Sequence, residues 1–312
     1  MRTLAFHHEA FLYAGVDGFV DGAARFLAPA LAAGAPALVL SSGTNLAGLR
    51  SALGARAGDV EYADVTEVGR NPAWILGAWC DFADAHAGSD RVWGIGEPAW
   101  PWRSPAELVE CRHHEALLNV AMAERTGVEL LCPYDTATLP PDVVEGARTT
   151  HPVVGTAAGS GPSTAYRDVG DGGSLLAEPL PAPPADAVEI DVGRGDPATA
   201  RHHVERLALE VGFETADAKD LALAVDEVVT NSERHGSGPG RLAAWPDAGS
   251  LVCEVRDAGQ LTDPLVGRRR PPPTQVGGRG LWITNRLCDL VQVRSSVDEG
   301  TVVRLHKRRD QR

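Results

Sequence analysis

A glutamate and an asparagine four residues apart are side chains that could do chemistry together. Glu227 and Asn231 lie in LALAVDEVVTNSERHG, residues 221–236, where apolar and small residues recur at helical spacing. Positions four apart share one side of a helix. The amide oxygen of Asn231 suits Mg²⁺, and Glu227 could then orient or deprotonate a hydroxyl or water beside a metal-bound phosphate. For this pair alone, a solvated polar helix face is the alternative.

An aspartate at the end of a predicted strand follows. Leu251, Cys253 and Val255 alternate in SLVCEVRDAG, which predicts a strand that delivers Asp257 to its end. A carboxylate there could accept a hydrogen bond from the exocyclic amine of adenine, and Gly259 would let the chain pass close to the base. Asp-Ala-Gly is also ordinary turn chemistry.

Three glycines then precede a second predicted helix. GGRGLWITNRLCDLV begins with Gly277, Gly278 and Gly280, after a proline-rich, basic loop. Glycines before a helix N-terminus free backbone N–H groups to hold phosphate, and Arg279 could add a charged contact. A flexible loop before a capped helix is the alternative. The next run, VQVRSSVDEGTVVRLHKR, predicts a hairpin with Thr301 at its mouth.

In this order and spacing, residues 188–308 resemble the GHKL ATPases, specifically the anti-sigma-factor serine kinases of actinobacteria. The matching residues are Glu227 and Asn231, Asp257 and Gly259, Gly277, Gly278 and Gly280, and Gly300 and Thr301. The resemblance implies a two-layer α/β sandwich that binds ATP and Mg²⁺, with Glu227 as general base and Asn231 as magnesium ligand. The family usually has a second glycine two residues after the position of Gly259, and in this chain that position is Leu261. This departure bears on nucleotide affinity rather than on the fold.

Two adjacent histidines bear on the alternative of a histidine kinase, which shares this ATPase domain. His202 and His203 lie in a single predicted helix that begins at Asp196-Pro197 and ends at Gly212. A phosphoacceptor histidine normally belongs to a long helical hairpin, and the sequence predicts no second long helix before this domain. This favours a serine or threonine acceptor on another protein.

The N-terminal half shows predicted strands in alternation with helices at 71–87, 104–126 and 140–149. This alternation predicts a three-layer α/β/α domain over residues 1–154 with a mostly parallel sheet. SSGTN after one strand lacks the phosphate-binding lysine of a Walker A motif. FHHEAFLYAGVDGFV, GEPAWPWRSPAELVECRHHEALLN and LLCPYDTATLPPDVV resemble the MEDS sensory domain, a degenerate RecA-like module. The resemblance implies that this domain senses a small, hydrocarbon-like molecule.

Candidate ligand-binding residues of this half follow the predicted strand WGIGE. Glu97 occupies its end, and Trp100 and Trp102 could add an aromatic wall, although packing in the core is the alternative for tryptophan. The run His113-His114-Glu115 is better explained as a polar helix face than as a metal site. Glu115 and Asn119 repeat the glutamate–asparagine spacing without glycine motifs behind them, which indicates a structural role.

Composition sets the class of protein. The 312 residues, 44% of them hydrophobic, suffice for two cores, and Gly, Ser and Pro in residues 155–187 indicate a linker before a domain at 188–312.

A formal charge of −13 argues against nucleic-acid binding, and no run is apolar enough to span a membrane. Five scattered cysteines without a C-x-x-C pair indicate neither disulfides nor zinc. We therefore expect a cytoplasmic protein.

Together these features predict a sensor joined to an ATP-dependent serine/threonine kinase that controls transcription. The implied partners are an anti-sigma-factor antagonist, a sigma factor, or both, and members of the family often form homodimers. Two alternatives remain: a module that binds ATP and sequesters a sigma factor without phosphotransfer, and a ligand sensor whose C-terminal half no longer binds ATP.

Overall fold

The computed structural model describes residues 6–192, 197–236, 240–272, 274–275 and 277–309. They form two compact units, Met1–Gly170 and Asp171–Arg312. Asp196, the expected cap of a helix, lies outside the described residues. Within the described ranges, every helix is too short or too polar to cross a bilayer.

A seven-stranded sheet is the centre of the first unit. Its strands are β1 (His7–Tyr13), β2 (Ala37–Ser41), β3 (Glu61–Asp64), β4 (Val92–Gly96), β5 (Val128–Asp135), β6 (Val153–Thr156) and β7 (Gly159–Pro162). Their order is β3-β2-β4-β5-β1-β6-β7, and all neighbours are parallel except β6 and β7. The predicted α/β class with a mostly parallel sheet is confirmed.

Six α-helices and a 3₁₀ helix at Gly54–Asp59 lie between the described strands. The α-helices are α1 (Gly15–Ala33), α2 (Gly43–Leu53), α3 (Val65–Val68), α4 (Pro72–Ala85), α5 (Pro105–Met122) and α6 (Pro141–Thr150). Helix α1 ends at Ala33, and its C-cap Gly34 has a φ of 63°, a left-handed conformation that favours glycine. Helix α5 starts with a capping box, since the Ser104 hydroxyl accepts from the Glu107 N–H and the Glu107 carboxylate accepts from the Ser104 N–H.

The segment predicted as a linker contains regular structure. Strands β6 and β7 form a hairpin on the edge of the first sheet, because β6 pairs with β1, a partner that no local pattern reveals. In the second unit, the short helix α7 (Gly173–Leu176) follows, and Leu176 is buried. The carbonyl of Pro181 accepts a hydrogen bond of 2.5 Å from Arg304 Nη2. Much of residues 155–187 therefore packs onto one unit or the other.

The second unit is a two-layer sandwich. Its antiparallel sheet has the order β11-β12-β10-β9-β8. The strands are β8 (Val188–Val192), β9 (Gly240–Asp247), β10 (Ser250–Asp257), β11 (Leu290–Ser296) and β12 (Gly300–Arg308). The layer of helices consists of α8 (Pro197–Glu210), α9 (Thr215–His235) and α10 (Gly280–Leu287). The predicted α/β sandwich is confirmed.

One apolar stripe orients α9. Leu221, Val225 and Val228 are buried in the same core as Cys253 and Val255 of β10. Burial of each large apolar side chain stabilises the fold by about 1.5–3 kcal/mol. Because this stripe faces the sheet, the polar positions of α9 turn toward the side where α10 begins.

Candidate functional site

The polar pair of α9 meets the first residue of α10. A Cβ built on Gly280 would lie 2.9 Å from Glu227 Oε2 and 2.9 Å from Asn231 Nδ2, closer than real Cβ atoms come to such neighbours. Glu227 and Asn231 are both half-buried. A side chain on the first residue of α10 would therefore have to displace the Glu227 or Asn231 side chain.

The backbone before α10 has a left-handed conformation at two consecutive glycines. Gly277 has a φ of 80° and Gly278 a φ of 73°, a region that L side chains rarely adopt. Arg279 is the N-cap residue and makes no side-chain capping hydrogen bond, so its side chain does not cap the first N–H groups of α10. Its guanidinium lies 3.5 Å from the carbonyl oxygen of Pro272. Uncapped N–H groups and a cation are suited to phosphate.

A chain of hydrogen bonds holds the turn after β10. Asp257 Oδ1 accepts from the Gly259 N–H at 2.7 Å. This hydrogen bond orients the carboxylate through Oδ1 and not through Oδ2. The Gly259 carbonyl accepts from Thr301 Oγ1 at 2.9 Å. Ser295 Oγ lies 2.9 Å from Thr301 Oγ1 and accepts from the Leu261 N–H at 2.9 Å. Asp257, Gly259 and Thr301 are therefore one connected group.

The end of α9 joins this turn to the polar pair. A Cβ on Gly259 would lie 2.6 Å from the carbonyl oxygen of His235, the last residue of α9. A Cβ on Gly236 would lie 3.1 Å from the Cβ of Asp257. Since Asn231 is one helical turn before His235, the C-terminal half of α9 borders both groups.

The structure adds residues that sequence reasoning missed. Ser295 belongs to no recognised motif, but its register opposite Thr301 in the predicted hairpin is a signal that could have identified it. Leu261, in place of a family glycine, packs at the margin of the second core. Its side chain is half-buried and its N–H is held by Ser295, so the substitution is accommodated in the fold.

Glu97 of the first unit lies in a cage of donors. Its carboxylate is 6% exposed and accepts hydrogen bonds from Tyr13 Oη at 2.9 Å, Ser41 Oγ at 2.6 Å, the Ser42 N–H at 3.1 Å and Asn45 Nδ2 at 3.2 Å. These donors come from the carboxyl ends of β1 and β2, which lie on either side of the β4–β5 pair in the sheet, and from the start of α2. Burial is the main cause that raises the pKa of Tyr13, and the charge of Glu97 is the second. The Tyr13 hydroxyl therefore keeps its proton and acts as a donor.

The two tryptophans predicted near Glu97 have different environments. Trp100 is buried, and the guanidinium of Arg103 lies 3.5 Å from the centre of its ring. Trp102 is 69% exposed. The two rings therefore do not form the walls of one enclosed site.

An apolar pocket of about 400 Å³ lies elsewhere in the first unit, between α5 and α6. Its lining residues include Leu108, Val109, Cys111, Tyr134, Val143 and Thr150. Its walls come from separate elements, so local periodicity does not predict it.

The predicted polar helix face at residues 113–115 is wrong. His113, His114 and Glu115 are at most 2% exposed. Helix α5 packs against both α4 and α6, so it has no broad solvated face at these positions. Glu115 and Asn119 both contact His8 of β1.

Two family models match the chain, one on each unit. Residues 7–152 match the MEDS model, described as "MEthanogen/methylotroph, DcmR Sensory domain". Residues 195–307 match the model described as "Histidine kinase-like ATPase domain". No curated protein matches the chain.

Among solved structures, the chain is similar to "The crystal structure of the RsbU and RsbW domains of Rv1364c from Mycobacterium tuberculosis". The identity is 21% and the TM-score 0.32, over 41% of this chain and 34% of that chain. The chain thus spans about a third of the length of this structure.

Proposed function

We propose that this chain, with a MEDS domain at its N-terminus and a histidine kinase-like ATPase domain at its C-terminus, is a signal-responsive protein serine/threonine kinase of the anti-sigma-factor type. The observation that carries the proposal is the contact of Gly280 with Glu227 and Asn231, which places a carboxylate, an amide and a helix N-terminus together. The proposed partner is an anti-sigma-factor antagonist, a sigma factor, or both.

The residues of the second unit fit ATP and Mg²⁺. Asn231 offers an amide oxygen, the donor type that Mg²⁺ prefers. Gly278, Gly280 and Arg279 offer backbone N–H groups and a positive charge for phosphates. Asp257 offers a carboxylate oriented by the Gly259 N–H for the adenine amine. When bound, ATP supplies the phosphoryl group that is transferred.

Glu227 has the role of general base in this proposal. Its carboxylate lies beside the uncapped start of α10, the position suited to phosphate. A carboxylate there accepts the proton of an incoming hydroxyl, and such assistance contributes roughly 10²–10⁴-fold to a rate. Thr301 and Gly300 support the turn that carries Asp257, because a Cβ on Gly300 would lie 2.1 Å from the Asp257 carbonyl oxygen.

The acceptor is proposed to be a hydroxyl of a partner rather than a histidine of this chain. Among the described residues of the second unit, the elements before α8 are the four-residue α7 and the strand β8, not a long helix. His202 is exposed on α8, and its Nδ1 lies 2.7 Å from the carbonyl of Ala198 in the same helix. Neither feature resembles a phosphoacceptor hairpin.

The first unit is proposed to sense a small apolar molecule. The pocket between α5 and α6 is better suited to it than Glu97, whose carboxylate already accepts from four residues. Filling an apolar pocket of this size is a common mode of small-ligand binding.

Phosphotransfer to candidate antagonist proteins tests the proposal. The full chain is incubated with Mg²⁺, γ-labelled ATP and each candidate, alongside Glu227→Gln and the neighbouring control Asp226→Asn. We expect label on a serine or threonine of one candidate, lost with Glu227→Gln and kept with Asp226→Asn. ATP binding without transfer to any candidate would instead support a sequestering module, and no ATP binding would eliminate both functions.

A further inference from the structure

Four buried side chains from separate elements converge inside the first unit. They are His8 of β1, Glu115 of α5, Cys132 of β5 and His151, which follows α6. Each is at most 1% exposed, and one potential ligand atom from each lies within 4.8 Å of all the others. Nitrogen, sulfur and carboxylate oxygen are the three donor types that zinc uses in proteins.

The carboxylate is at the centre of the group. Glu115 Oε2 lies 2.9 Å from His8 Nε2, 3.1 Å from His151 Nε2 and 3.2 Å from Cys132 Sγ. Cys132 Sγ lies 3.4 Å from His8 Nε2. In a tetrahedral site with bonds of about 2.0–2.3 Å, ligand atoms are roughly 3.3–3.8 Å apart. The four separations given above need shifts of a few tenths of an ångström, and the widest separation in the group, up to 4.8 Å, must shorten by about 1 Å through rotamer adjustments.

Neighbouring groups orient both imidazoles in the way that metal sites require. Asn119 Nδ2 donates to the Thr150 carbonyl at 2.8 Å, so Oδ1 is the amide atom that faces His8 Nδ1 at 3.0 Å. His8 therefore carries its proton on Nδ1. His151 Nδ1 donates to the Ala147 carbonyl at 2.8 Å. Each ring thus directs the Nε2 lone pair inward and is held by an oxygen from behind, as in protein metal sites.

Positive charge at the centre stabilises this arrangement, and either a bound cation or an added proton on an imidazole supplies it. Two imidazole lone pairs and a carboxylate oxygen face one another in a region without solvent contact. Among the described residues, His151 Nε2 and Glu115 Oε1 have no hydrogen-bond partner. Buried polar atoms without partners are costly, and a bound cation removes that cost.

We propose that His8, Glu115, Cys132 and His151 bind one divalent transition-metal ion, with zinc as the best match. Two nitrogens, one thiolate and one carboxylate complete four-coordination from the protein alone, which is typical of a structural site. Thiolate and imidazole select against Mg²⁺ and Ca²⁺. Binding replaces the Cys132 S–H bond by an S–metal bond and releases that proton to solvent. The site is independent of the proposed kinase activity.

Metal analysis of the full chain and titration with Co²⁺ test this site. We expect close to one zinc per purified chain. After removal by a chelator, Co²⁺ should produce the intense visible bands of four-coordination and a thiolate-to-cobalt charge-transfer band, and Zn²⁺ should abolish both. Cys132→Ser should remove the charge-transfer band, and His151→Ala should weaken Co²⁺ binding at least tenfold. Cys80→Ala, which removes a buried cysteine of α4, is the matched control and should keep the full spectrum.

A substitution of Asn119, which orients His8 and is not a ligand, tests the site even if the ligand variants fail to fold. Asn119→Ala leaves all four ligands in place and should weaken Co²⁺ binding roughly 10–100-fold while the charge-transfer band remains at saturation. The proposal is overturned if the folded wild-type chain neither contains metal nor forms the charge-transfer band with excess Co²⁺. A band that persists in Cys132→Ser but disappears in Cys80→Ala would also overturn it.

Discussion

Gly280 and Glu227 are distant in sequence, yet a Cβ on Gly280 would come within 2.9 Å of the Glu227 carboxylate. The pair connects the start of α10 with the polar side of α9. A single methyl group at Gly280 must displace Glu227 or Asn231.

Gly280→Ala should therefore impair the site without unfolding the second unit. Displacement of a catalytic group by about 1 Å can cost roughly 10²-fold in rate, so we expect phosphotransfer to fall on that scale. Rates with γ-labelled ATP and circular dichroism measure the two effects. Gly88→Ala, at a glycine with open space around it, is the control and should leave both unchanged. Equal loss in both variants would contradict the role of the contact.

Asn231→Ala should remove the magnesium dependence of nucleotide binding. We expect ATP affinity of the wild-type chain to rise when Mg²⁺ is added, since Asn231 supplies an oxygen ligand. In the variant, affinities with Mg²⁺ and with EDTA should become similar, a loss of about tenfold or 1.4 kcal/mol. Calorimetric titration measures both, with Asp226→Asn as the control on the same helix. A variant that retains the full response to Mg²⁺ would exclude this ligand.

Thr301→Val should loosen the turn that holds Asp257. The hydroxyl of Thr301 contacts the Gly259 carbonyl and Ser295 Oγ, and it is buried. An unpaired buried polar group costs about 1–3 kcal/mol, so denaturant unfolding of the second unit should shift accordingly, together with weaker ATP binding. Thr301→Ser keeps the hydroxyl and should retain both properties. Identical behaviour of the two variants would show that the hydrogen bonds are unimportant.

Glu97→Ala should destabilise the first unit more than a ligand-binding role alone would require. Removal of the carboxylate leaves donors from Tyr13, Ser41 and Asn45 without their acceptor, at a total cost on the order of 3 kcal/mol. Tryptophan fluorescence during urea unfolding is a suitable measurement, because most tryptophans lie in this half. Exposed Trp102 is the comparison: Trp102→Ala should change stability by less than about 0.5 kcal/mol. A stable Glu97→Ala chain would argue that the cage is not structural.

Local patterns explain what could be predicted. The stripe of α9, the alternation of β10 and the hairpin of β11 and β12 depend on residues a few positions apart, so periodicity reveals them. Because these patterns report only on nearby residues, features that depend on distant residues were not predicted. Strand β6 pairs with distant β1, and its Gly- and Pro-rich surroundings resemble a linker. Glu115 lies on a helix whose polar residues look solvated until α4 and α6 cover it.

The sequence by itself determined the two α/β units, the motif residues from Glu227 to Thr301 and the family resemblance that they carry. Only the tertiary structure decided that Gly280 touches Glu227, that Glu97 is enclosed by donors, and that His8, Glu115, Cys132 and His151 meet. These contacts depend on strand order and helix packing, which join residues far apart in the chain. Helical and strand periodicity contains no information about such distant partners, since it reports only which face of an element is apolar.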